Sequence, residues 1–302
     1  MTGLLRLMHP AGLLRFLEDA VLLRNFVTTS PQLFIVGLPR SGTTLIYQYI
    51  VHRLDVAYFT HGVGRHPRSA LMTTWCHHRR HGKYISDFRS TFGKVDGAAS
   101  PREAGSFWNR FFDIDAYSSC HDVDPASVRS LQRTVAGVQQ VYGGAPFVNK
   151  NVKHMLRFDA LCQIFPAASF LVVDRELHDV AISLTRARVA NQGDAGKWWS
   201  VRPPNYEALC RLPPAEQIAG QVVSLQDRLT TDLARLPEER VMRIQYDSFC
   251  NAPDDLTSKI RSQLDNPAYR NEPVDSFPIS KNQPRDDLER DVLRCLDELL
   301  SS

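Results

Sequence analysis

No stretch of this chain approaches the roughly 20 consecutive apolar residues that a bilayer-spanning helix needs. The opening, MTGLLRLMHPAGLLRFLEDAVLLRNF, is apolar in bulk, yet Arg6, His9, Arg15, Glu18, Asp19 and Arg24 interrupt it. Residues 1–30 therefore read as an amphipathic helical segment broken at Pro10, packed on the domain or laid against a membrane surface as a peripheral contact. Cysteine is scarce: Cys76, Cys120, Cys162, Cys210, Cys250 and Cys295 are scattered, with no C-x-x-C pair and no histidine partner at metal-ligand spacing. That pattern points to reduced thiols in a cytoplasmic protein and gives no metal site. Net charge is small, +3 at pH 7, which excludes nucleic acid as the partner that composition would announce.

What is present is ordinary globular composition. With 302 residues, 43% of them apolar and 23% charged, the chain suits one large α/β domain over residues 1–302. Its organising stretch is Gln32–Tyr49, QLFIVGLPRSGTTLIYQY. Gln32–Val36 is a run of β-formers suited to a strand buried on both faces of a parallel sheet. Gly37, Pro39, Ser41 and Gly42 then make a tight loop, and Thr43-Thr44-Leu45-Ile46 opens a helix. Strand, glycine loop and helix N-terminus form an anion trap, where backbone N–H groups and the positive end of the helix dipole converge. The spacing from Gly37 to Gly42 is that of a P-loop, but the lysine that should follow Gly42 is Thr43. The cation has moved into the loop as Arg40, whose planar fork suits an oxyanion.

PRSGTTL after a strand resembles the 5′-phosphosulfate loop of sulfotransferases that use 3′-phosphoadenosine 5′-phosphosulfate (PAPS), in the branch that includes tyrosylprotein and carbohydrate sulfotransferases. The resemblance implies that Pro39, Arg40, Ser41, Gly42, Thr43 and Thr44 bind the cofactor and that adenosine 3′,5′-bisphosphate is the product. Golgi members of the family are membrane-anchored, so an unanchored chain resembles a bacterial cytoplasmic relative or a soluble fragment.

Further along, Asp55–Thr60 is a short strand candidate. Five histidines crowd the next segment, His61, His66, His77, His78 and His81, but their spacing fits no zinc pattern and suggests a basic, substrate-facing or solvated stretch. Ser100-Pro101-Arg102-Glu103 precedes the aromatic run Phe107, Trp108, Phe111, Phe112. It has the form of a capping box, with Ser100 as N-cap and Glu103 at the third helical position. Resemblance offers a second role for the same residue, since in this branch a glutamate here is the general base.

A helix is expected from about Pro125 to Val141, closed by Gly143-Gly144. Pro146–Asn149 is the next buried strand, and it delivers Lys150 to the C-terminal edge, where open parallel sheets bind ligands. Lys150-Asn151-Val152 resembles the family segment in which the lysine contacts the transferring sulfonate, with Val152 where proline is usual. Ala168–Asp174 is a strand followed by Arg175, and a helix from about His178 places Ser183 eight residues after that arginine. FPAASFLVVDRELHDVAISLTRAR resembles the family motif whose Arg and Ser bind the 3′-phosphate, with Glu176 and Leu177 in place of Asp and Pro. Trp198 and Trp199 fall in a loop, either as buried anchors or as sugar-stacking faces. A helix over Pro214–Leu236, a strand over Arg240–Gln245 leading into Tyr246-Asp247, and a helix over Asp254–Leu264 follow. Residues 266–285 form an irregular tail loop, in which Ser280-Lys281 resembles the family's loop over the nucleotide. A last helix runs from about Arg285 to Leu300.

The expectation is a P-loop-like parallel sheet of about five strands, and sulfuryl transfer from PAPS to the hydroxyl of a small-molecule, glycan, lipid or peptide acceptor. Glu103, Lys150 and Arg40 are the candidate catalytic residues. Two other readings share these residues. A P-loop kinase of a small metabolite would need lysine at position 43, and a non-catalytic nucleotide-binding module would not need Glu103.

Overall fold

The structure, a computed structural model, describes residues 10–24, 26–27, 30–91, 93 and 95–301. In chain order, α1 (Pro10–Leu22) precedes β1 (Gln32–Val36), α2 (Thr43–Arg53), α3 (Ala70–His81) and α4 (Gly105–Trp108). Next come α5 (Pro125–Val141), β2 (Phe147–Lys150), α6 (Phe158–Ile164), β3 (Ala168–Asp174) and α7 (Leu177–Gln192). The chain closes with α8 (Tyr206–Leu209), α9 (Pro214–Leu233), β4 (Val241–Gln245), α10 (Tyr246–Asn251), α11 (Pro253–Gln263) and α12 (Asp287–Leu300). The result is an α/β fold with a parallel sheet of four strands in the order β2-β1-β3-β4.

The chain gathers into two compact units. One comprises the chain up to Ile35 with Thr44–Ser169 and Asp254–Pro273; the other comprises Val36–Thr43, Phe170–Pro253 and the chain from Val274 onward. In the first, β1 pairs in parallel with β2, Gln32 opposite Phe147 through Ile35 opposite Lys150. Every residue of β1 is buried, as its unbroken apolar run predicts for a central strand. The aromatic side chains of Phe34, Phe59, Phe107, Trp108 and Phe147 pack edge-on or tilted with centroids 4.6–6.1 Å apart. The expected fifth strand, Asp55–Thr60, is instead an extended segment beside β2. It makes a parallel bridge between Ala57 and Phe147, and antiparallel bridges tie Leu54 to Tyr269 and Thr60 to Pro101. Pro146 lacks the N–H that would extend a ladder there, although its carbonyl accepts from Ala57 N at 2.8 Å.

Within the second unit β3 pairs in parallel with β4, ending at Asp174 opposite Gln245. This register places Arg175 and Tyr246 side by side just beyond the strand ends. Helices α7, α9 and α12 pack together, burying Val180, Leu184, Ile218, Val222, Leu225, Val292 and Leu296. Of the N-terminal amphipathic segment the structure describes α1, Pro10–Leu22; its expected portion before Pro10 lies outside the described residues. Part of the histidine-rich stretch is the helix α3, which buries Ala70, Leu71, Thr73 and Thr74. No helix among the described residues is long and apolar enough to cross a membrane.

Candidate active site

In the second unit the glycine loop is shaped by crowding. A Cβ on Gly37 would stand 2.7 Å from Ser41 Oγ and 2.8 Å from the Val173 carbonyl oxygen. Gly42 has φ of 94°, and a Cβ there would lie 2.2 Å from the Tyr246 ring. Only glycine satisfies both demands. Arg40 itself sits at φ 75°, a left-handed conformation that costs an arginine free energy and is held by surrounding contacts.

Those contacts join four of the residues expected at the site. Arg40 Nε donates to Ser183 Oγ at 3.0 Å. Arg175 Nη1 donates to the Arg40 carbonyl at 3.0 Å, and Arg175 Nη2 donates to the Ser280 carbonyl. The Arg175 guanidinium carbon lies 4.6 Å from the Tyr246 ring centroid, a cation–π stack. Burial, and then the neighbouring charge of Arg175, push the Arg40 pKa down, the signature of cations gathered where water is scarce. Two buried donors here, Ser41 Oγ and Arg175 Nε, have no hydrogen-bond partner among the described residues. Thr43 is buried at the head of α2 and Pro39 is buried in the turn.

Lys281 departs from the arginine cluster: its Nζ meets Asp247 Oδ2 at 2.6 Å and Asp179 Oδ2 at 3.5 Å. The backbone N of Asn282 donates to Asp179 Oδ1 at 2.5 Å, and Arg186 donates to the Asn282 side chain at 3.0 Å. The irregular tail is thus fastened to α7 by side chains that sequence reasoning did not single out, chiefly Asp179 and Arg186. Tyr246 was also missed as a site residue. The signal available in the sequence was its place directly after the last expected strand; the pairing of that strand with the one leading to Arg175 is tertiary.

In the first unit, Lys150 is the last residue of β2 and Glu103 lies in the segment before α4. The Lys150 ammonium is 5% exposed and donates to Glu103 Oε1, on a side chain that is 36% exposed. The capping-box reading is corrected here. α4 begins at Gly105 with Ala104 at its N-cap and no side-chain capping bond. Ser100 Oγ donates to the Gly97 carbonyl at 2.7 Å instead. Pro101 bridges Thr60 and Arg102 N donates to Phe59 O at 2.8 Å, so long-range pairing holds the stretch extended, and Ala104 at φ 53° separates it from the helix. Thr44 faces this unit, its hydroxyl 3.4 Å from where a Cβ on Gly93 would stand.

His154 and Trp198 have structural surroundings. His154 is wholly buried and its pKa lies well below 6.5, through burial and then the charges of Arg157 and Lys150. Trp198 packs edge-on against Tyr206 at 4.7 Å with the Arg188 guanidinium over it, a loop anchor. Among the described residues no group of three or more His, Cys, Asp or Glu is placed to hold a metal ion.

Comparison with known proteins follows the same lines. The model of the family described as Sulfotransferase family matches residues 31–270. Two curated relatives, both omega-hydroxy-beta-dihydromenaquinone-9 sulfotransferase Stf3, from Mycobacterium bovis and Mycobacterium tuberculosis, are 22% identical over 262 residues. That alignment covers 79% of this chain, which spans 63% of the relatives' length. Among solved structures, sulfotransferase STF9 from Mycobacterium avium matches with a TM-score of 0.51 at 16% identity, covering 95% of this chain and 73% of that one. Sulfotransferase STF1 from Mycobacterium tuberculosis matches with a TM-score of 0.50 at 14% identity, covering 94% and 76%. These structural likenesses bear on the fold.

Proposed function

The chain belongs to the sulfotransferase family, and from that membership we propose that it transfers a sulfuryl group from PAPS to an acceptor hydroxyl. The observation that carries the reading is the linked set Ser183–Arg40–Arg175 on a lysine-free glycine loop. The Arg40 guanidinium, destabilised as a cation first by burial and then by the charge of Arg175, is relieved by an anion, and the unpartnered donors of Ser41 and Arg175 suit phosphate oxygens. These residues fit the cofactor. Pro39, Arg40, Ser41, Gly42, Thr43 and Thr44 would hold its 5′-phosphosulfate, Arg175 and Ser183 its 3′-phosphate, and Ser280 and Lys281 would lie over the nucleotide. When bound, it supplies an activated sulfonate on a phosphate leaving group.

In the reaction the acceptor oxygen bonds to sulfur as the bond from sulfur to the bridging phosphate oxygen breaks. The acceptor proton passes to Glu103, and the bisphosphate departs with the electron pair. Glu103 Oε1 holds Lys150, and Oε2 on the half-exposed side chain serves as the base. Lys150 is the cation proposed to meet the charge that grows on the sulfonate oxygens, and Arg40 is the second candidate catalytic cation. No metal is part of this proposal. Residues 1–302 act as one sulfotransferase domain, which the family match supports by running through stretches of both units.

The acceptor is a small molecule, glycan, lipid or peptide hydroxyl. The curated relatives' printed name makes omega-hydroxy-beta-dihydromenaquinone-9 the first acceptor to test. Exposed Phe16, Leu23 and Val27, interleaved with exposed Arg15 and Arg24, support peripheral contact of α1 with a membrane surface. A bacterial, cytoplasmic setting is supported by the mycobacterial relatives and by the free thiols of Cys76, Cys162, Cys210, Cys250 and Cys295. The test is a panel of acceptors incubated with sulfur-labelled PAPS. Label in an acceptor is the expected result, and ATP consumption without sulfuryl transfer would replace the reading with a kinase.

A further inference from the structure

Asn149 directly precedes Lys150 in β2, is fully buried, and uses its whole side-chain amide. Its Oδ1 accepts from Trp108 Nε1 at 3.0 Å and lies 2.8 Å from His154 Nε2. Burial keeps His154 neutral at physiological pH, so its ring carries one proton. Facing a carbonyl oxygen, that proton belongs on Nε2. Nδ1 then bears only a lone pair and has no hydrogen-bond partner among the described residues.

With two donors converging on Oδ1, the amide orientation is decided: a flip would set its NH₂ against two N–H groups. Nδ2 must therefore point the other way, where it donates to the Arg102 carbonyl at 3.1 Å. Asn151 repeats the grip one residue further, its Nδ2 donating to the Glu103 carbonyl at 3.3 Å. Three successive side chains of one strand end thus hold one short segment. Asn149 takes the carbonyl before Glu103, Lys150 takes its carboxylate, and Asn151 takes its own carbonyl. The segment needs this grip, because it belongs to neither a helix nor a strand and ends in left-handed Ala104.

We infer that Asn149 is a positioning residue for the sulfuryl-transfer reaction, orienting Glu103 against Lys150 through the Arg102 carbonyl while touching neither substrate nor cofactor. The inference rests on the proposed role of Glu103. Buried networks of this kind specify one arrangement when every member is satisfied, and a displacement of about 1 Å in a reacting group is worth roughly a hundredfold in rate.

The experiment is a double-mutant cycle with Asn149→Asp and Glu103→Gln, reading kcat, the Kd of adenosine 3′,5′-bisphosphate and the melting temperature. Asn149→Asp keeps both bonds accepted at Oδ1 and loses the amide donor that serves the Arg102 carbonyl and the Tyr47 side chain. Its kcat should fall at least about tenfold with bisphosphate affinity unchanged, and the loss should shrink below about twofold when Glu103 is already Gln. Asn149→Ala, which buries no new charge, carries the same expectation should the aspartate variant not fold. Wild-type kcat in the Asn149 variants, or losses that multiply in full with Glu103→Gln, overturns the inference and leaves the proposed function standing. Full activity of Glu103→Gln alone overturns the base assignment and the inference with it.

Discussion

Arg175 donates to the backbone carbonyl of Arg40 at 3.0 Å, so the arginine that follows β3 helps to hold the arginine of the glycine loop in its left-handed conformation. The two proposed phosphate ligands are therefore one mechanical unit, and damage to either reaches the other.

Cofactor selectivity follows from that pairing. Adenosine 3′,5′-bisphosphate is expected to bind at least about tenfold tighter than AMP, roughly 1.4 kcal/mol, and Arg175→Ala should erase the difference. Calorimetry with both ligands on both proteins measures this, and equal affinities in the wild type would withdraw Arg175 and Ser183 as 3′-phosphate ligands.

Gly42→Ala should be severe for a methyl group. Its Cβ would stand 2.2 Å from Tyr246 at a φ of 94°, so either the loop or the ring must move. We expect destabilisation of about 1–3 kcal/mol and loss of bisphosphate binding. A melting curve and a titration read the two effects separately; a variant that binds normally would mean the loop tolerates the shift.

Lys150→Ala should lower kcat roughly a hundredfold or more while bisphosphate affinity changes little, because the ammonium acts on charge that develops during transfer. Should turnover persist near wild type, the catalytic cation must be sought elsewhere. Lys153 is the nearest substitute in sequence, though its Nζ is engaged with Asp115 at 2.8 Å.

Glu103→Gln tests chemistry and stability together. It removes the counter-charge of an ammonium that is only 5% exposed, so a loss of up to about 3 kcal/mol is expected, less whatever the amide oxygen retains by accepting from Lys150. A large fall in kcat of the folded variant supports the base; a falling melting temperature with normal kcat would make the pair structural.

His178 links the start of α7 to α12, with its ring 3.1 Å from Glu176 and 2.7 Å from Asp297. Burial lowers its pKa, but the hydrogen bonds to the two carboxylates outweigh this and the net direction is upward. The stabilisation is complete below the unfolded value of about 6.5 and is lost as pH rises through the higher folded value. Urea midpoints should accordingly drop between about pH 6 and the alkaline side of neutrality, and His178→Gln should flatten that slope.

The elements written in local pattern were legible without coordinates. β3 and α5 have the expected bounds, because an apolar run closed by Asp-Arg, and a Pro125 start capped by Asp124 with Gly143-Gly144 at the far end, are decided by near neighbours. The loop geometry was equally local: Gly37 and Gly42 stand where a Cβ would clash, as a tight turn between strand and helix demands. Ser100-Pro101-Arg102-Glu103 was misread for the opposite reason. Its sequence satisfies a capping box, yet the backbone bonds that hold it come from Phe59, Thr60 and Asn149, all more than 40 residues away in the chain. No local signal reports such partners. Tertiary structure alone decided that Glu103 meets Lys150, that Asn149 grips the Arg102 carbonyl just before Glu103, and that Tyr246 lies under Arg175. Each of those contacts depends on which strand ends are brought level, a property of strand register that residue type leaves open.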